Sequence, residues 1–123
     1  MDPKKVLIVE DEIEFAEMVK LRLELENFIC DTAYTTDEGI EAILDTSYDL
    51  IILDLMMPGG GGFTILEKMR INSYKSHVPV IILTGKTITT EIKALIGRYQ
   101  VSAVFTKPYD PLEFVSKAKE LME

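Results

Sequence analysis

Five short apolar runs, each separated from the next by a longer stretch of helical period, constrain this chain more than any other feature. They are VLIVE (6–10), FICDTAY (28–34), LIILD (50–54), VPVIILT (78–84) and SAVFTK (102–107). Three are continuously apolar, as strands become when helices cover both faces of a sheet. Strands joined through helices run parallel, and such crossovers are almost always right-handed. Five of these units predict one α/β domain over residues 1–123, a doubly wound five-stranded parallel sheet of order 2-1-3-4-5 flanked by five helices.

The intervening segments carry helix signals. Thr35 and Glu38 form a capping box ahead of Ile40, Ile43 and Leu44, which share one face at helical spacing. Asp110, Pro111 and Glu113 mark a second start: an acid at the cap, a proline where its missing N–H is harmless, and a glutamate in the first turn. Val115, Ala118 and Met122 form the inner face that follows. The other inner faces are Ala16, Val19 and Leu23 in the first helix, Phe63, Leu66 and Met69 or Arg70 in the third, and Ile92, Leu95 and Ile96 in the fourth. No repeat, low-complexity tract, linker or DNA-reading helix is evident.

Open α/β sheets bind ligands beyond the carboxyl ends of their strands. Here the first strand ends on Glu10 and Asp11, the third on Asp54, the fourth on Thr84 and the fifth on Lys107. Carboxylates crowded into one crevice raise at least one of their pKa values unless a cation neutralises them. Oxygen donors with no His or Cys beside them suit a hard ion, Mg²⁺ above all, which keeps several waters and shares oxygens with a phosphoryl group. Lys107 adds compact positive charge, Thr84 adds a hydroxyl, and the PGGGG loop lets the backbone after Asp54 bend towards the metal. Each feature alone has a plainer reading: a helix-capping acid pair, a structural threonine, a surface lysine, a flexible loop. Asp54, delivered by four apolar residues, is the hardest to explain that way, and the joint placement points to a site.

The charge balance narrows the partners. Twenty-one acidic residues against 13 basic give a net charge of −8, which disfavours a nucleic-acid footprint. The single cysteine, Cys30, reads as a small buried hydrophobe. His77 lacks a companion ligand and reads as a solvent-facing loop residue. The first apolar run is too short for a signal peptide, and none reaches the roughly 18 residues of a membrane span. A soluble cytoplasmic protein with no membrane contact is expected.

These motifs together resemble the receiver domain of two-component response regulators, a flavodoxin-like fold of the chemotaxis-regulator kind. VLIVEDE resembles its first strand and acidic pair, LIILDLMMPGGGGF its phosphoacceptor strand and loop, VPVIILTG its fourth strand with the hydroxyl residue, and FTKP its fifth with the lysine. The resemblance covers essentially the whole chain. It implies that Asp54 accepts a phosphoryl group from a sensor histidine kinase or phosphotransfer protein. It also implies that Mg²⁺ is bound by Asp11, Asp54 and the main-chain carbonyl of Met56, with Glu10 acting directly or through water. Lys107 and Thr84 would contact the phosphoryl group, and Lys107-Pro108 would be a cis bond. The implied protein assists its own phosphorylation and is not a turnover enzyme. It signals to a downstream protein or fused output domain through its fourth helix, fifth strand and fifth helix, as a monomer or a phosphorylation-dependent dimer.

Three positions depart from the family pattern. Glu10 stands where aspartate is usual, Gly61 replaces a frequent aspartate and predicts a looser loop, and Val104 replaces the aromatic residue that normally changes rotamer during switching. Phe105 cannot stand in for it, because adjacent strand residues face opposite sides of the sheet. Met56 and Lys86, two residues beyond Asp54 and Thr84, are expected to flank the site and set the lifetime of the acyl phosphate, with Met57 packing nearby. Two rival readings remain at this level: a small aspartyl-nucleophile phosphatase, disfavoured by Met56 where a second aspartate is usual, and a receiver-like interaction module that is never phosphorylated.

Overall fold

The computed structural model describes residues 2–58, 61–72, 77–85 and 88–123. Strands β1 (Lys5–Val9), β2 (Ile29–Ala33), β3 (Leu50–Leu53), β4 (Val80–Thr84) and β5 (Ala103–Thr106) alternate with helices α1 (Ile13–Glu24), α2 (Thr36–Asp45), α3 (Gly61–Ile71), α4 (Thr90–Arg98) and α5 (Pro111–Leu121). The sheet is parallel throughout, in the order β2-β1-β3-β4-β5. Chain order reverses beside β1, so the ends of β1 and β3 lie next to each other there, and a ligand crevice is expected at that point.

The core lies in two layers, one on each side of the sheet. Leu7, Val9, Ile51, Leu53, Val80 and Ile82 face α2, α3 and α4, whereas Val6, Ile8, Leu50, Ile52, Ile81 and Leu83 face α1 and α5. Alternate residues of one strand thus serve opposite layers, which explains the unbroken apolar runs. Val104 packs in the first layer with Phe63, Ile92 and Tyr99, and Phe105 packs in the second with Phe114. Cys30 is buried and His77 is exposed. Among the described residues no helix is long and apolar enough to cross a membrane.

The helix starts follow local chemistry. Thr35 Oγ accepts from the Glu38 N–H at 3.1 Å, and Asp110 Oδ1 accepts from the Leu112 and Glu113 N–H groups at 2.9 and 3.2 Å. Such caps contribute about 1 kcal/mol each. Ala16, Val19 and Leu23 are buried in α1, as are Leu66 and Met69 in α3, Ala118 in α5 and Met122 at its C-cap. Two expectations about inner faces fail. Leu44 is exposed, because α2 turns Thr36, Gly39 and Ile43 inward and Gly39 allows the close approach to Val9 and Ile65. In α5 the largest buried side chain is Phe114, which the helical spacing from Val115 passes over.

Helix α4 has no fully buried residue. Its C-terminal end is anchored by Arg70 of α3, whose guanidinium donates to the carbonyls of Tyr99 at 2.7 Å and Gln100 at 3.2 Å, and to that of Val78 at 3.2 Å. A helix tied at one end and thinly packed elsewhere is among the elements that open most easily.

Candidate functional site

Parallel register builds the site. Val9 lies opposite Leu53, so the next residue on each strand, Glu10 and Asp54, leaves the sheet side by side. The backbone holds them there, with Asp54 N–H donating to the Val9 carbonyl at 3.1 Å and Glu10 N–H to the Ala33 carbonyl at 3.0 Å. On the other side of β3, Thr84 pairs with Thr106, and Lys107 N–H donates to the Thr84 carbonyl at 2.8 Å. The peptide between Lys107 and Pro108 is cis.

From that position the Lys107 ammonium forms an ion pair with Glu10 and lies 3.5 Å from both Asp54 Oδ2 and Glu12 Oε1. The other oxygen of Asp54 accepts from the Met56 N–H at 3.0 Å, so the carboxylate cannot rotate freely. A cleft of about 240 Å³ opens above these groups, lined by Asp11, Glu12, Asp54, Met56, Gly85 and Lys107. The structure therefore brings Glu10, Asp54 and Lys107 into contact and sets Asp11 and Met56 on the cleft wall. Met57 is buried, and the Met56 side chain is exposed at the rim. Thr84 is wholly enclosed and does not line the cleft, although the adjacent Gly85 does. Lys86 lies outside the described residues, as do Gly59 and Gly60 of the glycine run.

Glu12 is the residue that sequence reasoning missed. One oxygen each from Glu10, Glu12 and Asp54 falls within 4.8 Å of the others, whereas Asp11 lines the cleft without joining that group. The available signal was the third acid of the EDE run. At the N-cap of α1 it looks like an acid favoured by the helix dipole, and here its side chain makes no capping bond.

The expected loosening at Gly61 is also corrected. Gly61 is buried at φ +60°, and a Cβ there would sit 2.2 Å from the Leu55 carbonyl oxygen; at Gly62 it would sit 2.9 Å from that of Asp54. The start of α3 presses against the backbone of Asp54 and Leu55, and an aspartate in this conformation would collide with it.

Glu10 is only 3% exposed, and its Oε2 is buried without a hydrogen-bond partner among the described residues. Burial, then hydrogen bonding with Asp54, pushes its carboxyl up to about 8, and the opposing pull of Lys107 is too weak to prevent this. For Lys107, desolvation pulls downward, but the hydrogen bond with Glu10 and the charges of Asp54, Glu10 and Glu12 outweigh it and hold the ammonium above its ordinary value. Three converging carboxyl groups, one of them with an orphaned oxygen, form an all-oxygen donor set beside the Lys107 ammonium. That set fits a hard divalent cation such as Mg²⁺.

Comparison with known proteins agrees with this geometry. The family model described as response regulator receiver domain matches residues 6–119. The regulatory protein VanR of Enterococcus faecium is 41% identical over 116 residues, which cover 94% of this chain and 48% of VanR. The response regulator ArlR of Staphylococcus saprophyticus is 36% identical over 118 residues, covering 96% of this chain and 52% of ArlR. The chain thus spans about half the length of the curated relatives it matches. Among solved structures, a CheY-like receiver domain protein from Methanospirillum hungatei superposes with a TM-score of 0.91 at 26% identity, covering 98% of this chain and 94% of that one. The receiver domain of the Francisella response regulator 1452 gives 0.86 at 28%, covering 97% and 96%.

Proposed function

Because the chain belongs to the response regulator receiver domain family, we propose that Asp54 accepts a phosphoryl group from a phosphohistidine on a sensor kinase or phosphotransfer protein, in a step that requires Mg²⁺. The observation that carries this reading is the placement of Asp54 Oδ2 at 3.5 Å from the Lys107 ammonium, within one cleft walled by acidic side chains.

The step forms one bond from an Asp54 carboxylate oxygen to phosphorus and breaks the phosphorus–nitrogen bond of the donor imidazole, which leaves and takes a proton from water. Phosphoryl transfer has a loose transition state, so the protein contributes mainly alignment and charge neutralisation. Asp54 is aligned by the Met56 N–H on its other oxygen. Lys107, released in part from Glu10, pairs with the incoming phosphoryl oxygens. Mg²⁺, held by Glu10, Glu12, Asp54, Asp11 and the Met56 carbonyl or a subset of them, would supply the remaining positive charge. The protein is consumed stoichiometrically in each cycle, so it is an acceptor that assists its own chemistry and not a turnover enzyme.

The enclosed Thr84 hydroxyl reaches the phosphoryl group only if the end of β4 moves towards the cleft. That movement loads α4, the helix without a buried residue. Output through α4, β5 and α5 then proceeds by backbone and packing changes around Val104, Phe63 and Tyr99, with no aromatic rotamer swing. The partner is a downstream protein or a fused output domain, and the setting is cytoplasmic.

Intact-mass measurement after incubation with Mg²⁺ and a small acyl-phosphate donor tests the reading. One phosphoryl adduct on the native chain and none on Asp54→Ala is the expected result. An unmodified native chain would favour a receiver-like module that is never phosphorylated.

A further inference from the structure

The Lys107 ammonium is held on four sides, and only three of them are carboxyl groups. The fourth is the face of Phe15, whose ring centroid lies 4.2 Å from Nζ. Phe15 sits in the first turn of α1, half-buried, and also walls a small void beneath Glu10 and Asp54. Its ring is itself braced. Tyr109, two residues beyond the lysine, meets it edge-on at 6.0 Å and 81°, and Tyr109 packs in turn on Phe114 at 5.0 Å. Phe114 is fully enclosed and meets Phe105 of β5 edge-on at 5.8 Å. Edge-to-face pairs of this kind add to simple burial, so the orientation of Phe15 is set by a chain of rings anchored in the core.

We propose that Phe15 is a positioning residue for phosphoryl transfer: its ring face, locked by Tyr109 and Phe114, keeps the Lys107 ammonium at the floor of the cleft and within reach of Asp54. This rests on the reading of Asp54 as the acceptor. An ammonium on a flexible four-carbon stem, surrounded by Glu10, Glu12 and Asp54, has several competing partners. Glu12 is exposed and draws it towards solvent. The π face of Phe15 attracts the cation without the directional hydrogen bonds an anion would impose, so the ammonium stays free to exchange oxygen partners. The lysine can then transfer from Glu10 to an arriving phosphoryl group without first being recovered from water.

The test compares the native chain with Phe15→Leu, which keeps an apolar side chain of similar bulk, and Phe15→Tyr, which keeps the ring. Phe15→Leu is expected to slow phosphorylation by an acyl-phosphate donor about fivefold, the scale of one partly desolvated cation–π contact. Its Mg²⁺ affinity, followed by amide chemical shifts, should stay within about twofold of native, because no metal-binding oxygen is touched. Phe15→Tyr should recover most of the rate. A second readout depends on geometry alone: ring current shifts the Lys107 Hε protons upfield in the native chain and in Phe15→Tyr, and not in Phe15→Leu. Native transfer rates in Phe15→Leu, an equal loss in both variants, a matching fall in Mg²⁺ affinity, or Hε protons at their ordinary position would overturn the proposal. Should the native chain take up no phosphoryl group, the acceptor reading fails, and the Hε shifts still decide whether the ring holds the ammonium.

Discussion

Replacing Glu10 with glutamine should make the metal-free protein more stable at alkaline pH. The carboxyl is raised from an ordinary 4.5 to about 8 in the folded chain. A raised acid favours folding fully below its unfolded pKa, and that contribution is lost as pH climbs through the folded one. Each pH unit between the two values corresponds to about 1.4 kcal/mol, so ionising Glu10 costs the native state at most roughly 5 kcal/mol by pH 9. Water entry and relaxation of Lys107 and Glu12 around the new charge reduce this, and about 2 kcal/mol is the expected difference. Glutamine keeps the shape and hydrogen-bonding capacity at the same place but cannot ionise. Urea unfolding followed by far-ultraviolet circular dichroism, in a chelator, at several values between pH 4.5 and 9, isolates the effect, because every other titrating group is common to both proteins. The two stability curves should diverge with rising pH, reaching a midpoint difference of roughly 8 °C in thermal scans near pH 9. Saturating Mg²⁺ should close most of the gap by stabilising the native chain. Curves that run parallel from pH 4.5 to 9 would refute the claim that burial outweighs Lys107 in setting the Glu10 carboxyl.

Other consequences are as specific. Gly61→Ala forces a Cβ against the Leu55 carbonyl at a positive φ, and a loss of about 2–4 kcal/mol in urea unfolding is expected. An unchanged midpoint would mean that the start of α3 is free to move. Met56→Ala opens the exposed rim above Asp54 and should shorten the half-life of the acyl phosphate at least about twofold by admitting water; an unaltered decay rate removes Met56 as a shield. Amide shifts recorded with and without beryllofluoride, a phosphoryl mimic, should change along α4, and their constancy there would exclude switching through Thr84 and Val104.

Much of this molecule is visible in its sequence because the physics is local. Apolar runs with nothing polar to expose must be covered on both faces, and Thr35 and Asp110 cap helices wherever the chain takes them. The ends of β1, β3 and β5 could be aligned without coordinates because parallel register carries Glu10, Asp54 and Lys107 to the same edge. What remained hidden depends on directions that spacing does not encode. Three successive acids end β1, and the turn into α1 decides that Glu10 points inward and that Glu12, not Asp11, joins Glu10 and Asp54 within 4.8 Å. Leu44 turns outward and Phe114 inward because packing against the sheet, and not helical spacing alone, sets which face of α2 and α5 is covered. Gly61 looked like a loss of restraint because its close approach to Leu55 is a tertiary contact.

The central claim is that distant strand ends prepare one carboxylate, Asp54, to carry phosphorus. Borohydride reduction of the phosphorylated chain, followed by peptide mass mapping, tests it most directly, since it converts an acyl-phosphate aspartate to homoserine. Conversion at Asp54 alone, and only when Mg²⁺ accompanies the donor, is the predicted result. Conversion at another carboxylate, phosphorus on His77 or a hydroxyl residue, or labelling indifferent to Mg²⁺ would contradict it.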